Sequence, residues 1–342
     1  MNANNCAVIF GGTGFIGSYF AKYLIDNKKF TKVYLYDIDS FESKTFIYRK
    51  RMLETHNSKY EVVQGDVRMP IEWMPSEHVS LTVNFAAVHR EPGHKPNEYF
   101  ETNLLGAQNI CDWADKAGCT NMIFSSSIAP YGPTEDIKEE DSLTVPETPY
   151  GSSKLAAEKI HQIWLDDEKL KSLIIVRPGV VFGPGEGGNV SRLIKAVLNR
   201  YFFYVGNHNT RKAGVYVKEL CYAIGWVMET KLNKDKRFIL FNMSMNPSPS
   251  IQEYVEAISN VANKNFFVPS FPKIILFACA YTIEFFAKPF RLNHPFSIVR
   301  IRKLIKSNNI LPTYLIKNSY QYKYSLIEAF KDWKKDCPDE WK

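Results

Sequence analysis

Ala7-Val8-Ile9-Phe10-Gly11-Gly12-Thr13-Gly14-Phe15-Ile16-Gly17 is the stretch on which the fold turns. A short apolar run of strand type, Ala7 to Phe10, ends on glycines and opens at Phe15 into a helical pattern that reaches Asn27. Gly11, Gly14 and Gly17 stand where a backbone must turn tightly and approach a pyrophosphate closely, with the helix start supplying free N–H donors. A lone glycine triplet also fits an ordinary strand-to-helix turn, so the residues that follow decide. Roughly 20 residues on, at the end of the next apolar run Val33–Tyr36, stands Asp37, placed for a carboxylate that bonds both ribose hydroxyls of a dinucleotide. That carboxylate repels a 2′-phosphate, so Asp37 favours NAD over NADP, with Lys44 and Arg49 as neighbours able to compensate.

The same rhythm continues through Glu61–Gln64, Leu81–Phe85, Met122–Ser125 and Leu173–Val176. Amphipathic stretches fall between these runs, and the spacing predicts helices near Phe15–Asn27, Pro96–Ala117 and Tyr150–Asp167. Right-handed crossovers then give an α/β fold, a doubly wound parallel (Rossmann) sheet. After Arg177-Pro178 the run G-V-V-F-G-P-G-E-G-G is loop chemistry and a point of exit from the sheet. Val215–Val217 with Lys218–Thr230 reads as a further strand and helix returning to it. The expected division is a dinucleotide-binding domain of residues 1–178 plus about 214–242, and a smaller, discontinuous substrate domain of about 179–213 plus 243–342.

Tyr150-Gly151-Ser152-Ser153-Lys154 sets a phenol and an ammonium four residues apart, on one face of a helix. A phenol with a pKa of roughly 10 is a poor acid or base at neutral pH. A close Lys154 ammonium and an oxidised nicotinamide both stabilise its phenolate, so Tyr150 is expected to exchange a proton with a substrate hydroxyl. Ser127, in the run Phe124-Ser125-Ser126-Ser127 just past the fifth strand, lies where open α/β sheets place ligands and can orient the reacting oxygen. Alone, the Tyr–Lys pair is an ordinary helix surface pair; in order after the glycine loop and the serines it is not.

Taken together, G-G-T-G-F-I-G, Asp37, Q-G-D-V, N-F-A-A, Asn103, S-S-S and Y-G-S-S-K resemble the ordered motif set of the extended short-chain dehydrogenases, specifically the NAD-dependent epimerase/dehydratase family. The resemblance covers essentially residues 5–230 and continues weakly beyond. It implies Ser127, Tyr150 and Lys154 as the catalytic trio. The residues expected at the cofactor are Gly11, Gly14, Phe15, Ile16, Gly17, Asp37, Asp66, Val67, Phe85, Ala86, Ala87, Asn103, Ser125, Tyr150, Lys154 and Pro178. For substrate the candidates are His89, Ser127, Val180, Arg192, Arg211 and Lys212, the last two suiting a diphosphate. A homodimer through the helices bearing Asn103 and Tyr150 is also implied.

Family dehydratases carry Asp-Glu directly after the catalytic Thr or Ser; here Ile128 and Ala129 stand there and can move no proton. The expected activity is therefore a 4-epimerase or 4-keto reductase of a nucleotide-diphosphate sugar, not a 4,6-dehydratase. An oxidoreductase of a lipophilic, sterol-like alcohol or ketone is the enzymatic alternative, suggested by the Phe- and Ile-rich, basic segment Phe271–Ile310. A non-catalytic dinucleotide sensor or scaffold is the other, and the intact Ser-Tyr-Lys set argues against it.

Composition adds boundaries. Six scattered cysteines without a C-x-x-C pair or histidine partners indicate neither a disulfide framework nor a metal site, and fit a reducing cytoplasm. The start carries no signal-peptide pattern. A net charge of +7 without a block of five like charges points to anionic small molecules rather than nucleic acid. Ile274–Ile283 is apolar, but Pro272 and Glu284 bracket it, leaving it short of the roughly 20 residues a bilayer span needs. Lys288, Arg291, Arg300, Arg302, Lys303 and Lys306 follow, either a solvated basic face or an attachment to an anionic membrane surface.

Overall fold

In a computed structural model that describes residues 5–41, 47–56, 58–91, 93–231, 236–272, 274 and 306–342, the glycine turn sits at the middle of a seven-stranded sheet. The strands are β1 (Asn5–Phe10), β2 (Lys32–Asp37), β3 (Tyr60–Gln64), β4 (His78–Asn84), β5 (Asn121–Ser125), β6 (Ser172–Pro178) and β7 (Phe238–Met243). Their spatial order is β3-β2-β1-β4-β5-β6-β7, and every neighbouring pair is parallel. The order reverses between β1 and β4, which opens a crevice at the carboxyl ends of the strands.

Parallel strands are buried on both faces, and their side chains alternate between two cores. Ala7 and Ile9 of β1, Ile123 of β5 and Ile174 and Val176 of β6 enter one core. That side holds the helices α1 (Phe15–Asp26) and α2 (Ile47–Glu54). Cys6, Val8 and Phe10, Met122 and Phe124, and Leu173 and Ile175 enter the other. Its cover is α3 (Pro96–Phe100), α4 (Gly106–Lys116) and α5 (Pro149–Asp166), with Ile110, Trp113, Ala157 and Trp164 fully buried. The first core runs on without a break into the later chain, through Phe182, Tyr254, Phe330 and Trp333. The helices that contribute to it there include α6 (Asn189–Leu198), α7 (Val217–Lys231) and α8 (Ile251–Ala262).

Two expected elements differ. The run Pro96–Ala117 is not one α-helix: Glu101–Leu105 form a π-helical turn between α3 and α4, centred on Asn103. The strand expected at Val215–Val217 forms at Gly214–Tyr216 but pairs in parallel with Val180–Phe182, not with the main sheet. The seventh place goes instead to β7, whose register against β6 puts Phe241 beside Val176. Most of the Phe271–Ile310 segment, including Ile275–Ile283 and the basic residues from Lys288 to Lys303, lies outside the described residues, as does Lys44. Among the described residues no helix is long and apolar enough to cross a membrane, and no cluster of three potential metal ligands occurs. Cys6, Cys111, Cys119, Cys221 and Cys337 are free thiols.

The turn itself is set by sterics. Gly11 has φ +77°, and a Cβ there would lie 2.6 Å from the Ala86 nitrogen. At Gly17, in the first turn of α1, a Cβ would lie 2.2 Å from the Gly11 carbonyl oxygen and 2.8 Å from Gly12 Cα. Both obstacles are backbone and cannot rotate away. Gly17→Ala is expected to destabilise the protein by about 1–3 kcal/mol and to abolish the rise in melting temperature that NAD gives the parent, read by calorimetry with and without NAD.

Candidate active site

The N-terminus of α1 faces the crevice with no side-chain cap on Gly14 and no acidic residue in its first turn. Its free N–H groups and dipole are therefore unopposed, the arrangement that receives a phosphate. Gly11 and Gly12 both donate to the Tyr36 carbonyl, at 2.9 and 3.4 Å, which ties the turn to the end of β2. The next residue, Asp37, accepts the Thr13 amide at 3.1 Å. Burial raises the Asp37 pKa, and the surrounding backbone N–H groups oppose that rise by favouring the carboxylate. A dinucleotide fits this cradle, because the uncapped helix start offers N–H donors to a pyrophosphate and Asp37 stands at the strand end beside it.

The remaining cofactor-side candidates fall along the same crevice. Asp66 closes β3 and is gripped by Arg68, whose Nε and Nη2 donate to Oδ2 at 2.9 and 2.6 Å. This holds the Asp66 carboxyl below its usual range. Val67 is buried beneath Gly106, and its carbonyl accepts the Asn109 amide at 2.8 Å. Ala86 and the Phe85 backbone pass against Gly11, whereas the Phe85 ring turns away to pack on Phe20 at 5.6 Å. Asn103, 3% exposed, uses its whole amide: Oδ1 accepts the Val88 amide at 3.0 Å, and Nδ2 donates to the Val88 carbonyl at 3.2 Å and to Ser153 Oγ at 2.8 Å. It thus locks the loop after β4 to α5. Arg49 lies over the Phe15 ring and donates to the Thr13 and Gly185 carbonyls, at 3.4 and 3.3 Å.

Helix α5 begins at Pro149, with Thr148 as its N-cap accepting the Gly151 amide at 3.1 Å. Tyr150 and Lys154 therefore stand one turn apart above the carboxyl end of β5. The Ser127 hydroxyl accepts the Ala129 amide at 3.1 Å and interacts with the Tyr150 phenol. Burial pushes the phenol pKa up to about 12; Ser127 opposes this, while Glu91 and Tyr99 add to it. Lys154 is 2% exposed and its Nζ lies 4.5 Å from the centre of the Phe124 ring. Burial brings its pKa down to about 7, with Glu158 pulling the other way. Desolvation is the largest influence on both groups.

Of the substrate candidates, His89 stands at the mouth of the crevice. Its ring reaches solvent, yet the protein packed around it lowers its pKa, and Arg90 and Lys154 add to the effect. Ladder pairing brings Val180 next to Gly214, hence close to Arg211 and Lys212 in sequence. Those two diverge: Arg211 donates to the Ser248 carbonyl at 2.5 Å and faces Glu253 at 3.5 Å, while Lys212 donates to the Lys306 carbonyl at 2.5 Å. Burial brings the Lys212 pKa down to about 8, Glu135 opposing. Arg192 is exposed on α6, bonded to Asn189 at 2.6 Å. Ser125 and Pro178 are buried at the ends of β5 and β6.

Sequence reasoning missed the support beneath the trio. Glu158, one further turn along α5, is 1% exposed and accepts Arg177 Nε at 2.8 Å and Nη2 at 2.6 Å, together with Ser126 Oγ at 2.5 Å. The signal was present as a second i+4 step from Lys154 and an arginine ahead of Pro178. His161 completes the buried face, with Nδ1 on the Ala157 carbonyl at 2.7 Å and Nε2 facing Asn84 Nδ2 at 3.2 Å. Burial lowers its pKa to about 4, so it is a neutral ring with the hydrogen on Nδ1.

A doubly wound sheet, an uncapped glycine turn beside a strand-end aspartate, and a Ser-Tyr-Lys set at the switch point define a dinucleotide-dependent enzyme of the extended short-chain dehydrogenase type. The model of the NAD dependent epimerase/dehydratase family matches residues 7–242, and the chain belongs to that family. An Escherichia coli O157:H7 relative, N-acetyl-alpha-D-glucosaminyl-diphospho-ditrans,octacis-undecaprenol 4-epimerase, is 26% identical over 72% of this chain and 74% of its own. UDP-glucose 4-epimerases of Pisum sativum and Neisseria gonorrhoeae are matched over 58% and 60% of their lengths. Among solved structures, UDP-N-acetylglucosamine 4-epimerase from Methanobrevibacter ruminantium M1 aligns over 100% of this chain and 98% of its own, at TM-score 0.72 and 21% identity. A likeness at that identity speaks for the fold.

The Lys154 environment has a consequence for stability. Its folded pKa lies below the unfolded value of 10.5, so the folded protein binds fewer protons here and gains stability as pH rises from about 7 to 10.5. Lys154→Met removes this penalty. In urea unfolding of the protein without NAD, the variant is expected to gain most over the parent at pH 6, by on the order of a few kcal/mol, and to lose that lead toward pH 10; a difference that ignores pH contradicts the assignment.

Proposed function

We propose that the chain inverts C4 of a sugar carried on a diphosphate, with NAD bound. The observation that carries this reading is the contact of Ser127 with the Tyr150 phenol past the carboxyl end of β5, one helical turn from Lys154, with the apolar pair Ile128-Ala129 where an eliminating enzyme needs an acid and a base. The 4-epimerases among the relatives support it. When bound, NAD supplies a positive ring beside the phenol and both accepts and returns the C4 hydride.

The chain's own residues handle the proton. Tyr150 takes it from the 4-hydroxyl as that carbon is oxidised and gives it back after the sugar has presented its other face. Ser127 holds the same oxygen by hydrogen bonding, and Lys154 supports the phenolate from one turn below. Asn103 fixes the helix against the Val88 loop, so the three groups keep their separations. The diphosphate falls to the basic residues Arg192, Arg211 and Lys212, of which the two guanidinium groups can bind it bidentately.

The carrier of that diphosphate is a nucleotide in the first reading. A polyprenol is the second, favoured by the match to the undecaprenol-linked relative. We also infer a homodimer through α3 to α5, where Phe100, Leu105 and Ile163 stand exposed on the helices bearing Asn103 and Tyr150. A reducing cytoplasm suits the free thiols.

UDP-N-acetylglucosamine and its undecaprenyl-diphosphate counterpart, each offered to the NAD-loaded protein, are expected to yield the 4-epimer by proton NMR, with no net NADH formed. Tyr150→Phe is expected to lower turnover by at least ~10²-fold while keeping the NAD-dependent rise in melting temperature. Stoichiometric NADH consumption, or a Tyr150→Phe enzyme as fast as the parent, defeats the proposal.

A further inference from the structure

The charge of the chain is not evenly spread. Residues 1–186 hold 19 Lys and Arg against 25 Asp and Glu, whereas residues 187–342 hold 24 against 11. The cofactor half is acidic and the later half strongly basic, an asymmetry that a small-molecule site alone does not require. No acidic residue occurs from 187 to 218, and between 257 and 327 Glu284 stands alone against ten Lys and Arg.

These two acid-poor stretches meet in a short parallel ladder, Tyr204–Val205 with Ser270–Phe271, where the Tyr204 amide donates to the Pro269 carbonyl at 2.8 Å and the Gly206 amide to the Phe271 carbonyl at 3.0 Å. The aromatic residues in and beside this ladder divide between two sides. Phe202, Tyr204, Phe266 and Val268 turn inward onto the core. Tyr201, Phe267 and Phe271 turn outward and are 63%, 91% and 42% exposed, and Phe203 meets Phe271 edge-on at 5.2 Å. Ile274 continues the face at 81% exposure. Arg200 and Lys264, both exposed, flank it.

Single exposed hydrophobic residues are ordinary, but two distant segments that both present large aromatic side chains at one ladder, with Arg200 and Lys264 exposed beside them and Glu256 the carboxylate that acts on Tyr204, are not. We propose that this face docks the protein onto an anionic lipid bilayer, with the aromatic rings entering the headgroup boundary and the flanking Arg and Lys meeting lipid phosphates. Aromatic rings prefer that depth, and long basic side chains cover apolar surface while reaching outward to charge. Each basic residue near such a surface adds attraction that salt weakens. A second copy of the chain is the poorer occupant, because it would press two cationic faces together. Docking here goes beyond the epimerase reading and does not depend on it.

The full-length protein, sedimented with phosphatidylcholine vesicles containing phosphatidylglycerol, is expected to bind them, to bind pure phosphatidylcholine weakly, and to be released by salt. Phe267→Ser with Phe271→Ser, and separately Arg200→Glu, are expected to weaken binding by ~tenfold or more. Melting temperature and turnover of soluble UDP-N-acetylglucosamine should stay unchanged, so loss of docking and loss of the epimerase reading are told apart. Phe267→Ser alone guards against misfolding, since that ring is almost wholly in solvent. Failure of the parent to bind, equal binding of parent and variants, equal binding to neutral vesicles, or dissociation of a dimer by the variants in light scattering would each overturn the proposal.

Discussion

Glu158 and Arg177 form an ion pair out of reach of water, and the geometry of the active site rests on it. Taking two such charges from water costs several kcal/mol per ion, which Coulomb attraction offsets only when every lone pair and proton finds a partner. Here both carboxylate oxygens of Glu158 and every guanidinium nitrogen of Arg177 have a partner. Arg177 adds a bond from Nη1 to the Tyr131 hydroxyl at 2.8 Å, and Tyr131 passes the chain on to Asn242 Oδ1 at 2.8 Å. Burial disfavours the Arg177 charge, but the two bonds from Glu158 outweigh it and raise its pKa. The network joins the end of β5, helix α5 and strands β6 and β7 in one rigid knot, so Tyr150 and Lys154 keep a fixed height above Ser127.

That rigidity matters because the reactive groups are poorly prepared alone. Lys154 is near its midpoint at neutral pH, and the Tyr150 phenol is harder to ionise than in water. The carboxylate that acts on Lys154, Glu158, is already committed to Arg177, so it opposes the lysine's desolvation without becoming its partner. The ionised phenol therefore needs a further positive charge in the crevice, which the oxidised nicotinamide of a bound dinucleotide would supply.

The large-scale fold was legible because its signals are local. Alternating apolar runs, glycines with forced approaches and an i+4 Tyr–Lys step can each be read within a dozen residues. What escaped depends on partners remote in sequence. The π-helical turn at Asn103 accompanies bonds from that side chain to Val88 and Ser153, which no helical period foretells. Gly214–Tyr216 is three residues long, too short to announce whether it joins the main sheet or Val180–Phe182. The seventh strand, Phe238–Met243, carries its own apolar pattern but was overshadowed by that earlier candidate. Glu158 looked like one more polar residue on a helix because its arginine is 19 residues away.

The two anions that the proposed reaction brings together are met by different physics. The pyrophosphate of a dinucleotide would meet an acidic half of the protein, where the backbone N–H groups at the uncapped start of α1 are its donors. That field comes from aligned peptide dipoles and fades within a turn, so it selects by contact and draws nothing from afar. The later half reverses the arrangement: its excess of Lys and Arg acts over a Debye length, about 8–10 Å in physiological salt, and raises the local concentration of anions before any contact is made. A cofactor that stays through turnover needs only the first kind of grip. A substrate that must arrive and leave with each cycle benefits from the second, and so does a protein that collects its substrate at a negatively charged surface.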